Sequence, residues 1–110
     1  MTISYSDEKI RRCCVESTVA TKELGADSCR QLRSRISDLK AAKTVFELVA
    51  GRPHSYKGKK EKRFSLDLAQ GKRLLFVPTK DPPPIKDDGG IDWGLVTEVT
   101  IVFLGDNHDD

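Results

Sequence analysis

The chain has 110 residues, 37% of them apolar and 33% charged, which is the size of one domain and too short for two independent cores. The charged fraction exceeds the roughly 25% of an average soluble domain, so the core is modest, yet the apolar content is too high for a disordered chain. No run approaches the roughly 18 apolar residues of a membrane span, and Met1 to Arg12 carries charges where a signal peptide needs an apolar stretch. A single cytoplasmic domain over residues 1–110, with no membrane association, is the expectation. Three cysteines, two of them adjacent as Cys13-Cys14, make no disulfide framework and read as core filler in a reducing compartment.

The net charge of +2 conceals a polarised chain. Residues 1–80 hold 18 Lys and Arg against 9 Asp and Glu, whereas residues 81–110 hold 1 against 8. The densest basic stretch runs from Arg52 to Arg63, with Lys57, Lys59, Lys60 and Lys62 between them and Glu61 as its only acid. Such a segment is either a solvated loop or a surface that meets phosphates.

Ile3 and Tyr5 alternate with polar neighbours and predict a short strand, followed by a helix capped by Ser6 with Asp7 and Glu8 in its first turn. Ile10, Cys13, Ala20 and Leu24 share the apolar face of that helix, Ser17 is a polar gap in the stripe, and Gly25 reads as the stop. Cys29, Leu32, Ile36 and Leu39 define a second helix, and the two make an antiparallel hairpin. Thr44 and Glu47 have capping-box spacing ahead of a very short third helix closed by Gly51.

The period then becomes two residues. Phe64, Leu66 and Leu68 alternate with Arg63, Ser65 and Asp67, and Lys72 to Thr79 is a second extended run. A three-residue hairpin loop at Ala69-Gln70-Gly71, with Gly71 left-handed, pairs Leu68 with Lys72 and Phe64 with Phe76. It gathers Phe64, Leu66, Leu68, Leu74 and Phe76 on one face and brings Arg63, Asp67 and Arg73 out together on the other. Lys80 to Ile91, with Pro82-Pro83-Pro84 and Gly89-Gly90, is a loop by composition. Trp93 reads as core or a loop anchor, and Val99, Ile101 and Phe103 predict a final strand. The expected fold class is α+β, a helical hairpin packed on one face of a small, mostly antiparallel sheet.

The order of these elements resembles the HigB-type killer toxins of the RelE superfamily from about Leu24 to His108. The resemblance rests on Gly51-Arg52-Pro53-His54, on Tyr56-Lys57-Gly58 leading into Phe64-Ser65-Leu66, on Lys72-Arg73-Leu74-Leu75-Phe76, on Asp92-Trp93 and on the ending Ile101 to His108. It implies a RelE-like fold and the toxic half of a type II toxin–antitoxin, or plasmid-maintenance, system. Such a toxin is a ribosome-dependent mRNA endoribonuclease that inhibits translation, uses no cofactor and is neutralised by a HigA-like helix-turn-helix antitoxin. DNA would be met only through the antitoxin complex. Carried over by motif, His54, Asp106 and His108 match active-site positions, and Lys57 and Arg73 match recurrent basic positions. The chain departs from the family at Asn107, where a tyrosine usually stands, and in the length of the loop Lys80 to Ile91.

RNA carries its own nucleophile, because a 2′-OH attacks the adjacent phosphate once a base takes its proton and an acid protonates the departing 5′ oxygen. Histidine, with an unperturbed pKa of about 6.5, serves in either role, and His54 and His108 are the only two in the chain. Asp106 would orient or charge a histidine. Lys57 and Arg73 would contact the phosphate, Arg63 would share their face, and Lys59, Lys60 and Lys62 would add general attraction to ribosomal RNA. Cys13, Cys14, Cys29 and His54 lack metal-ligand spacing, so a metal-independent reaction is expected. The competing readings are a solvated tail for His108, an ion pair with Asp67 for Arg73, a non-catalytic interaction module of the same fold, and a small DNA-binding protein, which would need a recognition helix.

Overall fold

The alternating stretch and the extended run after it become neighbouring inner strands of a five-stranded sheet in the computed structural model, which describes residues 1–56 and 62–106. The strands are β1 (Thr2–Tyr5), β2 (His54–Tyr56), β3 (Arg63–Asp67), β4 (Lys72–Pro78) and β5 (Glu98–Asp106), in the order β1-β5-β4-β3-β2. β1 lies parallel to β5, and the other three neighbouring pairs are antiparallel. Three α-helices, α1 (Glu8–Val15), α2 (Ser17–Leu24) and α3 (Ala26–Ala41), pack on this sheet. The chain is thus an α+β fold, and among the described residues no helix is long and apolar enough to cross a membrane.

The core follows from the alternation. Phe64, Leu66, Leu74, Phe76, Val99 and Ile101 project from β3, β4 and β5 onto Leu24 of α2 and Leu32, Ile36 and Leu39 of α3. Trp93 completes it, its ring edge-on to Phe64 at 4.9 Å and to Phe76 at 6.0 Å between centroids. The β3–β4 register has Phe64 opposite Phe76, as the three-residue loop requires. Leu68 N–H donates to the Lys72 carbonyl at 2.8 Å, and Gln70 and Gly71 take the left-handed conformation at φ 57° and 77°.

Several local expectations are corrected. The helix expected to run through to Leu24 is two helices, because Glu16 adopts extended backbone between α1 and α2. Val15, Thr18 and Val19 are β-branched and Ser17 competes for backbone hydrogen bonds, so propensity there is low enough for packing to decide. Asp7 rather than Ser6 caps α1, its Oδ1 accepting from the Ile10 N–H at 2.9 Å. The Thr44 capping box does not form. A single 3₁₀ turn spans Val45–Glu47, and Glu47 Oε1 accepts instead from the Lys43 N–H. Gly51 closes no helix, and its role lies in the turn before β2.

The long loop after β4 also has more order than its composition suggested. Asp92 N–H donates to the Pro84 carbonyl at 2.9 Å, Lys86 N–H to the Gly90 carbonyl at 2.7 Å, and Gly89 N–H to the Lys86 carbonyl at 2.9 Å. With the antiparallel bridge between Ile85 and Ile91, these bonds make residues 84–92 a small hairpin arm at the end of β4.

Candidate functional site

The sheet face away from the helices collects the side chains that alternate with the core. Cross-strand partners share a face, so the pairs His54–Ser65 and Tyr56–Arg63 of β2–β3, with Ser65–Leu75 and Asp67–Arg73 of β3–β4, place these residues together there. Leu75 continues to Phe103 and Arg73 to Gly105 on β5, where Val102 is an extra bulged residue between the pairs Phe76–Ile101 and Leu75–Phe103. The strand β2 was not expected from its sequence. It carries two of the face's ring side chains, His54 and Tyr56.

Arg73 is the centre of this surface. Its guanidinium carbon lies 5.5 Å from the centroid of the Tyr56 ring, a cation–π arrangement. Tyr56 stands on β2 and Arg73 on β4, with β3 between them, so the Arg73 side chain crosses above Ser65. Ser65 and Leu75 are fully buried although neither belongs to the helical core cluster. Among the described residues the Ser65 Oγ has no hydrogen-bond partner, an orphaned hydroxyl between Tyr56 and Arg73.

Arg73 does not pair with Asp67, the competing sequence reading. Asp67 is held by the turn before β2: its backbone N–H donates to the Gly51 carbonyl at 2.6 Å, and its Oδ2 accepts from Arg52 Nε at 2.5 Å. Arg52 is thereby kept at φ 46°, and its carbonyl accepts a 2.6 Å hydrogen bond from His54 Nδ1–H. A carbonyl only accepts, so the neutral His54 ring carries its proton on Nδ1 and presents an unprotonated Nε2. On the other side of the turn Arg35 of α3 presses on Gly51, where an added Cβ would lie 3.0 Å from Arg35 Cδ and 3.2 Å from the Asp67 carbonyl oxygen. Gly51 therefore serves twice, through φ 84° and through this close approach.

Of the residues singled out by sequence, His54, Arg63 and Arg73 stand on this one face. Lys62 is exposed at the entry to β3. Asp106 pairs with Lys72, whereas Arg73 pairs with Gly105, so alternation sends the Asp106 side chain to the other side of the sheet from Arg73. His108, Lys57, Lys59 and Lys60 lie outside the described residues. The additions are Tyr56, Ser65 and the Arg35–Gly51–Arg52–Asp67 support. Gly51 and Pro53 on either side of Arg52 were the signal that the turn before His54 is built rather than slack.

The cysteines lie on the helical side. Cys13 and Cys29 are buried, and burial pushes the Cys14 thiol up to about 12, so it is a small hydrophobe rather than a nucleophile. Among the described residues no cluster of histidine, cysteine and carboxylate side chains could hold a metal ion. Comparison with known protein families, with curated proteins and with solved structures returned no match.

Proposed function

We propose that the helix-free face binds RNA and that the chain is a HigB-type toxin of the RelE superfamily, a ribosome-dependent endoribonuclease that cuts mRNA and is silenced by a helix-turn-helix antitoxin. The observation that carries this reading is the gathering of His54, Arg63 and Arg73 around Tyr56 on a face the helices leave uncovered. The sequence resemblance supplies the substrate and the antitoxin.

In this reading His54 takes the 2′-OH proton through Nε2, its ring held by the Arg52 carbonyl. The 2′ oxygen bonds to phosphorus, the P–O5′ bond breaks, and a 2′,3′-cyclic phosphate remains on the upstream fragment. His108 supplies the proton to the departing 5′ oxygen. Arg73 and Arg63 balance the charge that builds on the phosphoryl oxygens, the kind of term that dominates when donors are held in place beforehand. No step calls for a metal, so cutting persists in EDTA when a polyamine keeps the ribosomes intact.

The test is mRNA cleavage on translating ribosomes, read by primer extension. His54→Gln is expected to lower the single-turnover rate by a factor on the order of 10²–10⁴, with stability within about 0.5 kcal/mol of the parent because the side chain is exposed. Wild-type protein that leaves ribosome-bound mRNA intact, and that is harmless when produced alone, would overturn the proposal and leave a non-catalytic interaction surface.

A further inference from the structure

The hairpin arm and the end of β4 enclose a cleft of about 510 Å³, within the roughly 300–1,000 Å³ of small-ligand sites. Val77, Ile85 and Ile91 give its lining apolar side chains, and Lys62, Lys80 and Asp81 line it with charge. Val77 alternates with Leu75 and Arg73 along β4, so the cleft opens at the edge of the face that carries Tyr56 and Arg63. Ile85 is 63% exposed at its lip, an apolar side chain for which the core has no use.

We propose that this cleft receives one unpaired nucleobase of the bound RNA. The inference rests on the RNA reading of the adjacent face and names a subsite for it. A flat base needs apolar walls on its faces and few polar groups at its edge, which the Val77, Ile85 and Ile91 side chains satisfy. The phosphates on either side of that base need cations, which Lys62 and Lys80 provide. Asp81 is the one acid among the described residues lining the cleft, and its carboxylate only accepts. It favours guanine, whose N1–H and exocyclic amino group donate side by side to one carboxylate, over uracil, which offers a single N3–H between two carbonyl oxygens. Asp88, the acid nearer the tip of the arm, is already occupied by the Gly90 N–H at 2.8 Å and by Lys86.

The four nucleoside 5′-monophosphates, titrated into the ¹⁵N-labelled full chain, test this directly. Amide shifts are expected at Val77, Ile85, Gly89 and Ile91, with UMP binding about five- to tenfold more weakly than GMP, the low end of discrimination by a base-edge contact. Ile85→Ser, at an exposed position, should abolish those shifts and, on ribosomes, change which bases flank the cuts. Val15→Ser, a matched exposed apolar position on α1, should do neither. Asp81→Asn should remove the disadvantage of UMP. Shifts confined to the His54 and Arg73 face, or an Ile85→Ser protein with unchanged binding and cut sites, would refute the cleft while leaving RNA cleavage intact. Nucleotide binding in the cleft by a protein that cuts no RNA would instead sustain the cleft and refute the nuclease.

Discussion

The two faces of the central sheet use the same strands and hold their side chains by different physics. On the helical side, Phe64, Leu66, Leu74, Phe76, Val99 and Ile101 are buried by apolar neighbours from α2, α3 and Trp93, and the stabilisation is non-directional and spread over many contacts. On the other side, Ser65 and Leu75 are just as buried but stand outside that apolar cluster, and a single long arginine reaches Tyr56 across β3. One face is redundant, and the other depends on the placement of a few groups. Burial alone therefore does not distinguish a structural from a functional residue in this protein. What distinguishes them is whether the covering group is replaceable by any apolar volume.

Four substitutions or measurements sharpen that contrast. The largest effect is expected from Phe76→Ala, which empties the centre of the apolar face beside Phe64 and Trp93. It should cost about 3–5 kcal/mol in urea unfolding, and a loss below about 1 kcal/mol would mean that this side is loosely packed. Next comes Gly51→Ala, which forces a Cβ against Arg35 and the Asp67 carbonyl at φ 84°. A cost of about 1–3 kcal/mol is expected, and the His54 ring signals in NMR should shift because the Arg52 carbonyl that holds Nδ1 moves. Unmoved His54 signals would separate the turn from the candidate site.

Arg73→Lys is expected to be nearly silent in stability and loud in function. It keeps the charge but loses the planar group over Tyr56, worth about 0.5–1 kcal/mol at such a site, while RNA cleavage falls on the order of 10²–10³-fold. Equal losses in both would place Arg73 with the structural residues. The smallest effect concerns Cys14, on the helical side. Burial raises its thiol from 9.0 to about 12, so the folded chain keeps a proton that the unfolded chain releases. Its contribution is whole below about pH 9 and is lost as the pH climbs toward 12. The urea midpoint of the parent should fall more between pH 8 and pH 10.5 than that of Cys14→Ala. At pH 8 Cys14 should also have on the order of 10³ fewer thiolates than an ordinary cysteine and react with iodoacetamide correspondingly slowly.

By itself the sequence determined the parts whose signals are local. Period-two alternation of Phe64, Leu66 and Leu68 and the extended run Lys72 to Thr79, with the turn at Ala69-Gln70-Gly71, were enough to set the β3–β4 register. From that register it followed that Arg63, Asp67 and Arg73 leave the sheet together. The apolar stripe of Cys29, Leu32, Ile36 and Leu39 likewise marked α3 and its buried side. Only the tertiary structure decided the rest. β2 is three residues long and has no pattern of its own, so its existence depends on β3 beside it. Asp67 could have paired with either arginine, and the Gly51 turn, braced by α3, gave it to Arg52 and left Arg73 for Tyr56. The break at Glu16, the hairpin arm over the end of β4, and the side on which Asp106 leaves β5 also arise from contacts between segments far apart in the chain. Local periodicity carries no record of such contacts, because each rests on a partner that only folding brings near.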